Sequence, residues 1–158
     1  MILRHMDKLK LKGRARLIVT DPKTGRIVKV IKSKNIICTV GKYLVGDMLI
    51  DIDGYDTGLT YCAIGTGTTT PSAADTQLTT ESARKAITSK SRSGKEITLS
   101  TFFTAAESTY NIGEAGIFGH STAGVGANSG IIFNHFLSAY DNSAGNYDLT
   151  FDVIITIG

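Results

Sequence analysis

Glu114 stands inside Asn111-Ile112-Gly113-Glu114-Ala115-Gly116-Ile117-Phe118, a run that is otherwise almost wholly apolar. A carboxylate placed among apolar residues has to be paired or hydrogen-bonded to be tolerated. Arg84 is the expected partner, because its planar fork accepts a carboxylate through two parallel bonds, and Glu81 is a second carboxylate within reach of that fork. Arg84, Glu81 and Glu114 therefore read as structural polar anchors, forming an ion pair or clamping backbone, rather than as a catalytic acid and its neighbours.

Catalysis needs a nucleophile or a metal, an acid–base group and a means of holding developing charge. The remaining reactive residues do not assemble into such a set along the chain. His5, His120 and His135 are the only imidazoles, and no two of them have the spacing that a helix or hairpin gives to metal ligands. Asp51, Asp53 and Asp56 around Gly54 resemble the opening of a calcium loop, but the bidentate glutamate such a loop needs at its twelfth position is replaced by Cys62; a solvated acidic turn is the simpler reading. Gly65-Thr66-Gly67 lacks the Lys-Ser/Thr of a phosphate loop and reads as a tight bend where another stretch of backbone comes close. No catalytic residue, metal or cofactor is expected, and the chain is read as not an enzyme.

The elements that must position these anchors are strands. Leu9, Leu11, Ala15, Leu17 and Val19 alternate with Lys10, Lys12, Arg14 and Arg16, the period-two pattern of a half-buried strand. Asp21-Pro22-Lys23-Thr24-Gly25 supplies turn chemistry before a second strand over about 26–37. From 39 to 50 the apolar spacing changes to that of one short helix, with Thr39 as a candidate N-cap and Gly41 and Gly46 weakening it. A buried strand follows at about 59–65, then a long ordered loop over 66–82 with a turn of helix expected at Ser72–Asp75. Strands are expected at about 83–91, 95–104, 111–118 and 130–138, with a mobile glycine-rich loop over 120–130. Tyr147, Leu149, Phe151, Val153, Ile155 and Ile157 mark the strongest strand. The fold class is all-β, an antiparallel β-sandwich or jelly-roll-like barrel with one short helix. Residues 1–8 read as a flexible N-terminal tail and residues 9–158 as a single domain, a length sufficient for a real core.

The net charge of +3 hides a gradient. Positions 1–50 carry 12 Lys and Arg against 3 Asp, or +9; positions 51–110 carry 5 against 7, or −2; positions 111–158 carry none against 4, or −4. Basic residues that alternate with apolar ones, with no aromatic stacking platform beside them, argue against nucleic acid as a partner. They suit a basic surface docking on an acidic neighbour. Lys8, Leu9, Lys10, Leu11, Lys12, Arg14 and Arg16 are the candidate contact residues, the cations for attraction and the leucines for strand pairing with a neighbour. Cys38 and Cys62 stand in no metal or disulfide spacing, which suits a reducing compartment of synthesis. No signal-peptide pattern or bilayer-length apolar run is present, so a soluble protein without membrane partners is expected.

The order Asn35-Ile36, Tyr61 to Gly67, Pro71, Asp75-Thr76, Leu78, Glu81, Arg84, Glu114-Ala115-Gly116-Ile117-Phe118 and a long final strand resembles a broad group of small virion proteins of tailed bacteriophages. The resemblance implies a β-sandwich that assembles as a symmetric homo-oligomer, often a trimer, on the particle, and it supplies no catalytic residues. Its first implication is a capsid decoration or cement protein bound to the major capsid protein or adjacent virion subunits, assembled in the host cytoplasm and located in the virion. The alternatives are a tail, neck or baseplate structural module, or a glycan-binding fibre-associated module.

Overall fold

The computed structural model describes residues 8–52 and 58–158, which form an all-β architecture with one helix. Strand β1 (Leu11–Thr20) turns Ala15, Leu17 and Val19 into the core and Arg14 and Arg16 outward, as the pleat requires. The turn after it is held by the Asp21 carboxylate, which accepts hydrogen bonds from the amides of Lys23 and Thr24. The chain then returns antiparallel as β2 (Ile27–Ile37). Helix α1 (Thr39–Leu49) leads to β3 (Leu59–Gly65), β4 (Glu81–Ala86), β5 (Ser89–Ser93) and β6 (Glu96–Phe103). A 3-10 turn over Ala105–Glu107 precedes β7 (Asn111–Gly119), β8 (Ile131–Asp141) and β9 (Asp148–Ile157).

All nine strands belong to one antiparallel sheet, in the order β4-β3-β7-β8-β2-β1-β9-β6-β5. The expected sandwich or barrel therefore takes the form of a single sheet curled on itself, a half-barrel whose two halves face each other. Strand β2 makes one corner: residues 27–34 pair with β1, while Asn35–Ile37 pair with β8. The two outermost strands, β4 and β5, are consecutive in the chain. The Ile87 amide bonds to the Thr60 carbonyl beside β4, and the Thr88 amide bonds to the Ser100 carbonyl beside β5. Two residues thus carry the backbone from one half to the other.

The core fills the space between the halves. Leu17, Leu149, Phe151 and Phe103 from one half meet Ile64, Ile112, Ile117 and Phe136 from the other, all essentially inaccessible. Phe151 bridges the layers, edge-on to Phe103 at 5.9 Å between ring centroids and 6.5 Å from Phe136; such aromatic contacts add to area burial.

Several local expectations are corrected. Thr39 is not the helix cap. Cys38 occupies that position with extended backbone and no side-chain cap bond, and the Thr39 amide instead donates to the Ala73 carbonyl of the 66–80 loop. Gly41 strengthens the packing of the helix that its propensity weakens: a Cβ there would lie 2.7 Å from the Phe133 Cα, so only glycine lets α1 lie this close to β8. Ser72–Asp75 forms a turn, closed by the Asp75 amide on the Ser72 carbonyl and the Ser72 amide on the Asp75 carboxylate. The strand expected at 83–91 is two strands, because the chain changes halves at Ile87-Thr88. The 3-10 turn, unforeseen, is fixed by a capping box between Thr104 and Glu107. Of the acidic cluster, Asp51 follows the helix with a φ of 51°, while Asp53 and Asp56, like His5, lie outside the described residues.

Candidate functional site

Strands β3, β7 and β8 present an outer face covered by the 66–80 loop. Leu78 of that loop is buried against Ala63, Phe118, Ile132 and Cys38, a small apolar cluster separate from the main core. Beneath the loop lies a chain of polar contacts. Glu114 Oε1 accepts a hydrogen bond from the Thr80 amide at 2.6 Å, and Oε2 accepts from the Thr79 amide at 3.0 Å and lies 2.8 Å from His135 Nε2. His135 Nδ1 in turn lies 2.6 Å from the Asp75 carboxylate. The imidazole thus bridges the two carboxylates. Asp75–His135–Glu114 and the two amides form a latch that fastens the middle and the C-terminal end of the loop to the sheet.

The glycines expected to mark close approach do so around this carboxylate. A Cβ on Gly65 would sit 2.8 Å from Glu114 Oε1, one on Gly67 would collide with the same oxygen, and one on Gly113 would collide with the Gly67 carbonyl. The Gly-Thr-Gly motif thus clears the space that Glu114 occupies.

Arg84 does not pair with Glu114, contrary to the sequence expectation. Its guanidinium forks onto Glu81, Nε to Oε1 at 2.6 Å and Nη2 to Oε2 at 2.8 Å, with both side chains 2% exposed. The physical reason is that Glu114 is already saturated by His135 and two amides. Nη1 of Arg84 donates to the Gly124 and Ser129 carbonyls, Glu81 accepts from the Asn128 amide, and the guanidinium lies 4.5 Å from the Phe118 ring centre. The glycine-rich loop over 120–130, expected to be mobile, is tied down by this pair. Glu81, Arg84 and Glu114 are all structural anchors, organised as two separate clamps on two loops.

The candidate contact residues sit at the other half of the molecule. Lys8 and Lys12 are exposed and Leu9 is 62% exposed. Lys10 exchanges backbone hydrogen bonds with Gly158, and Leu11 pairs with Ile157 and is partly buried against the core, so both backbones are already engaged with this chain on that side. Arg14 pairs with Glu96 at 2.8 Å and Arg16 with Asp152 at 2.7 Å, the latter carboxylate 6% exposed and also bonded to the Ser100 hydroxyl. By register, Arg14 stands beside Lys34 and Arg16 beside Lys32, making a cationic row across β1 and β2.

Next to that row, β2 presents a bare edge. Because β8 joins β2 only at Asn35–Ile37, residues 27–34 have a second side that no strand among the described residues pairs. Ile27, Val28 and Val30 on it are 61%, 51% and 46% exposed. The free edge of β5 is different: Ser89-Lys90-Ser91-Arg92-Ser93 is polar and basic throughout, the composition that discourages edge pairing.

Both thiols are buried. Burial, reinforced by the Asp75 carboxylate, pushes the Cys38 thiol up to about 11, and burial pushes Cys62 up to about 12; both stay protonated and poor nucleophiles near neutral pH. The Lys85 ammonium and then the Thr104 amide hold the Glu107 carboxyl below its ordinary range. Among the described residues no group of three or more His, Cys, Asp or Glu is arranged to hold a metal ion. No helix among them is long and apolar enough to cross a membrane.

Sequence reasoning missed Asp75 and His135 as partners of Glu114, and Asp152 as the carboxylate that fixes Arg16. His135 is separated from Asp75 by 60 positions and from Glu114 by 21, so no local spacing could have joined them. The one available signal was chemical: a histidine between Asn134 and Phe136 in a strand also needs partners when buried. No protein-family model, curated protein or solved structure matches this chain. The likeness to phage virion proteins rests on the residues quoted for it.

Proposed function

We propose that this chain is a non-catalytic assembly protein, a structural subunit of a tailed-phage virion that acts as a capsid decoration or cement protein. The observation that carries this reading is the contrast between the free edges of β5 and β2. The β5 edge is guarded by Lys90 and Arg92, whereas the β2 edge exposes Ile27, Val28 and Val30 beside a row of cations. A bare strand edge offers main-chain hydrogen bonds to an added strand, and Lys29, Lys32 and Lys34, which stand on β2 among its exposed apolar residues, favour an acidic partner such as a shell subunit. Asp75, Glu81, Arg84, Glu114 and His135 are engaged in fastening the loops above them, which suits a scaffold built for fit. Repeated on a symmetric oligomer, a weak edge contact gains effective concentration at each further site.

A tail, neck or baseplate subunit would use the same edge, and the two are separated by copy number and symmetry on the particle. The test is gradient sedimentation of virions assembled with wild-type chain or with Val28→Lys and Val30→Lys together. The wild type should travel with the particle and the double variant should stay at the top while melting at an unchanged temperature. Equal association of both would refute the edge as the contact, and turnover of a compound by a monomeric chain would refute the reading as a whole.

A further inference from the structure

A cavity of about 330 Å³ opens between α1 and the neighbouring end of the sheet, and its lining is wholly apolar, including Leu11, Leu44, Met48, Leu59, Phe133 and Ile155. Its rim is apolar and open to solvent: Leu9 is 62% exposed, Met48 44%, Leu49 76% and the adjoining Ile50 66%. Contiguous exposure of this kind marks a surface that something covers, and a dry apolar cavity accepts apolar ligands. On one side the cavity shares Leu9, Leu11 and Val45 with a shallower cleft completed by Lys10, Lys12 and Lys42. None of these lysines has an ion-pair partner among the described residues.

An apolar hole with cations at one lip fits a molecule with an apolar tail and an anionic head. We propose that this cavity binds a single-chain alkyl carboxylate, a free fatty acid whose chain lies against Leu44, Met48 and Phe133 and whose carboxylate meets Lys10, Lys12 and Lys42. A second copy of the protein fits less well, because two-fold docking of this rim would bring the two sets of lysines together.

The test is calorimetric titration of the full chain with octanoate, decanoate, dodecanoate and tetradecanoate, with dodecanol and dodecyltrimethylammonium as controls. Affinity should rise about fourfold per added methylene and flatten once the cavity is full. Lys10→Ala with Lys42→Ala should weaken dodecanoate about tenfold and leave dodecanol unchanged. Met48→Trp, at the exposed rim, should abolish binding of both without changing the melting temperature. Affinity independent of chain length, or equal affinity for the cationic and anionic amphiphiles, would overturn the proposal. Binding only to vesicles of anionic lipid, or self-association of the chain that closes the rim, would overturn it in favour of a membrane or a second copy.

Discussion

Glu114 Oε2 lies 2.8 Å from His135 Nε2, with both side chains at most 2% exposed, and the same oxygen also receives the Thr79 amide. This carboxylate is the point where the 66–80 loop, β7 and β8 are joined. Glu114→Ala should destabilise the fold by about 3–5 kcal/mol, because it leaves the imidazole and two amides buried without a partner. Glu114→Gln should cost about 1–3 kcal/mol, since its amide nitrogen must face one of the donors that the carboxylate accepts from. Urea unfolding of both variants measures the difference, and equal costs would contradict the latch.

The Arg84–Glu81 fork gives a prediction about the second loop. Arg84→Lys keeps the charge but loses the parallel bonds and the reach to the Gly124 and Ser129 carbonyls, so it should cost about 2–4 kcal/mol. Amide hydrogen exchange should accelerate across 120–130 more than across 66–80. Uniform acceleration would show that the two clamps are not separate.

The buried thiols predict a loss of stability in alkali. A thiol whose folded value is raised keeps its proton in the native state while the unfolded chain releases it, so the contribution is complete below pH 9 and declines above it. The window runs from 9 to about 11 for Cys38 and from 9 to about 12 for Cys62. Double replacement by serine or alanine should flatten the fall in melting temperature over that range. At pH 8 iodoacetamide should label neither thiol until the protein is unfolded.

Glu107 predicts the opposite slope at low pH. Its folded value is lowered, so its contribution is present above the ordinary carboxylate range and is lost as pH falls through the lowered value. The Lys85–Glu107 contact is about 34% and 44% exposed at its two side chains, and solvent screening keeps it below about 1 kcal/mol. Glu107→Gln should therefore change the melting temperature measurably at pH 7 and scarcely at pH 2, with part of the effect coming from the Thr104 capping box.

The period-two alternation in β1 was legible because one face is buried and the other is not; in β9 it survives in the residue types alone, since Asp152 and Ile154 on the second face are buried as well. Leu17, Phe151 and Val153 point inward in the places alternation assigns. The turn at Asp21–Gly25 and the helix over 39–49 were equally readable, since each depends on neighbours in sequence; at Gly65 and Gly67 the need for close approach was readable, but not that Glu114 is what comes close. What stayed hidden depends on which distant strands meet. Arg84 and Glu114 are both buried ions, and composition alone made them partners; the register puts Ala63 beside Arg84 but Gly65 beside both Glu81 and Glu114, and His135 then takes the glutamate. The bare edge of β2 was invisible for the same reason, since it arises where β8 parts from β2 after three pairs.

Strand β9 lies between β1 and β6, pairing along its length with both. During synthesis, residues 11–20 have no neighbour on that side until residues 148–157 have left the ribosome, so half of the molecule waits for its middle strand. Such distant pairing makes for slow folding with exposed edges in the interval. Nascent chains stalled before Asp148 should therefore be captured by chaperones far more than chains released with β9 complete.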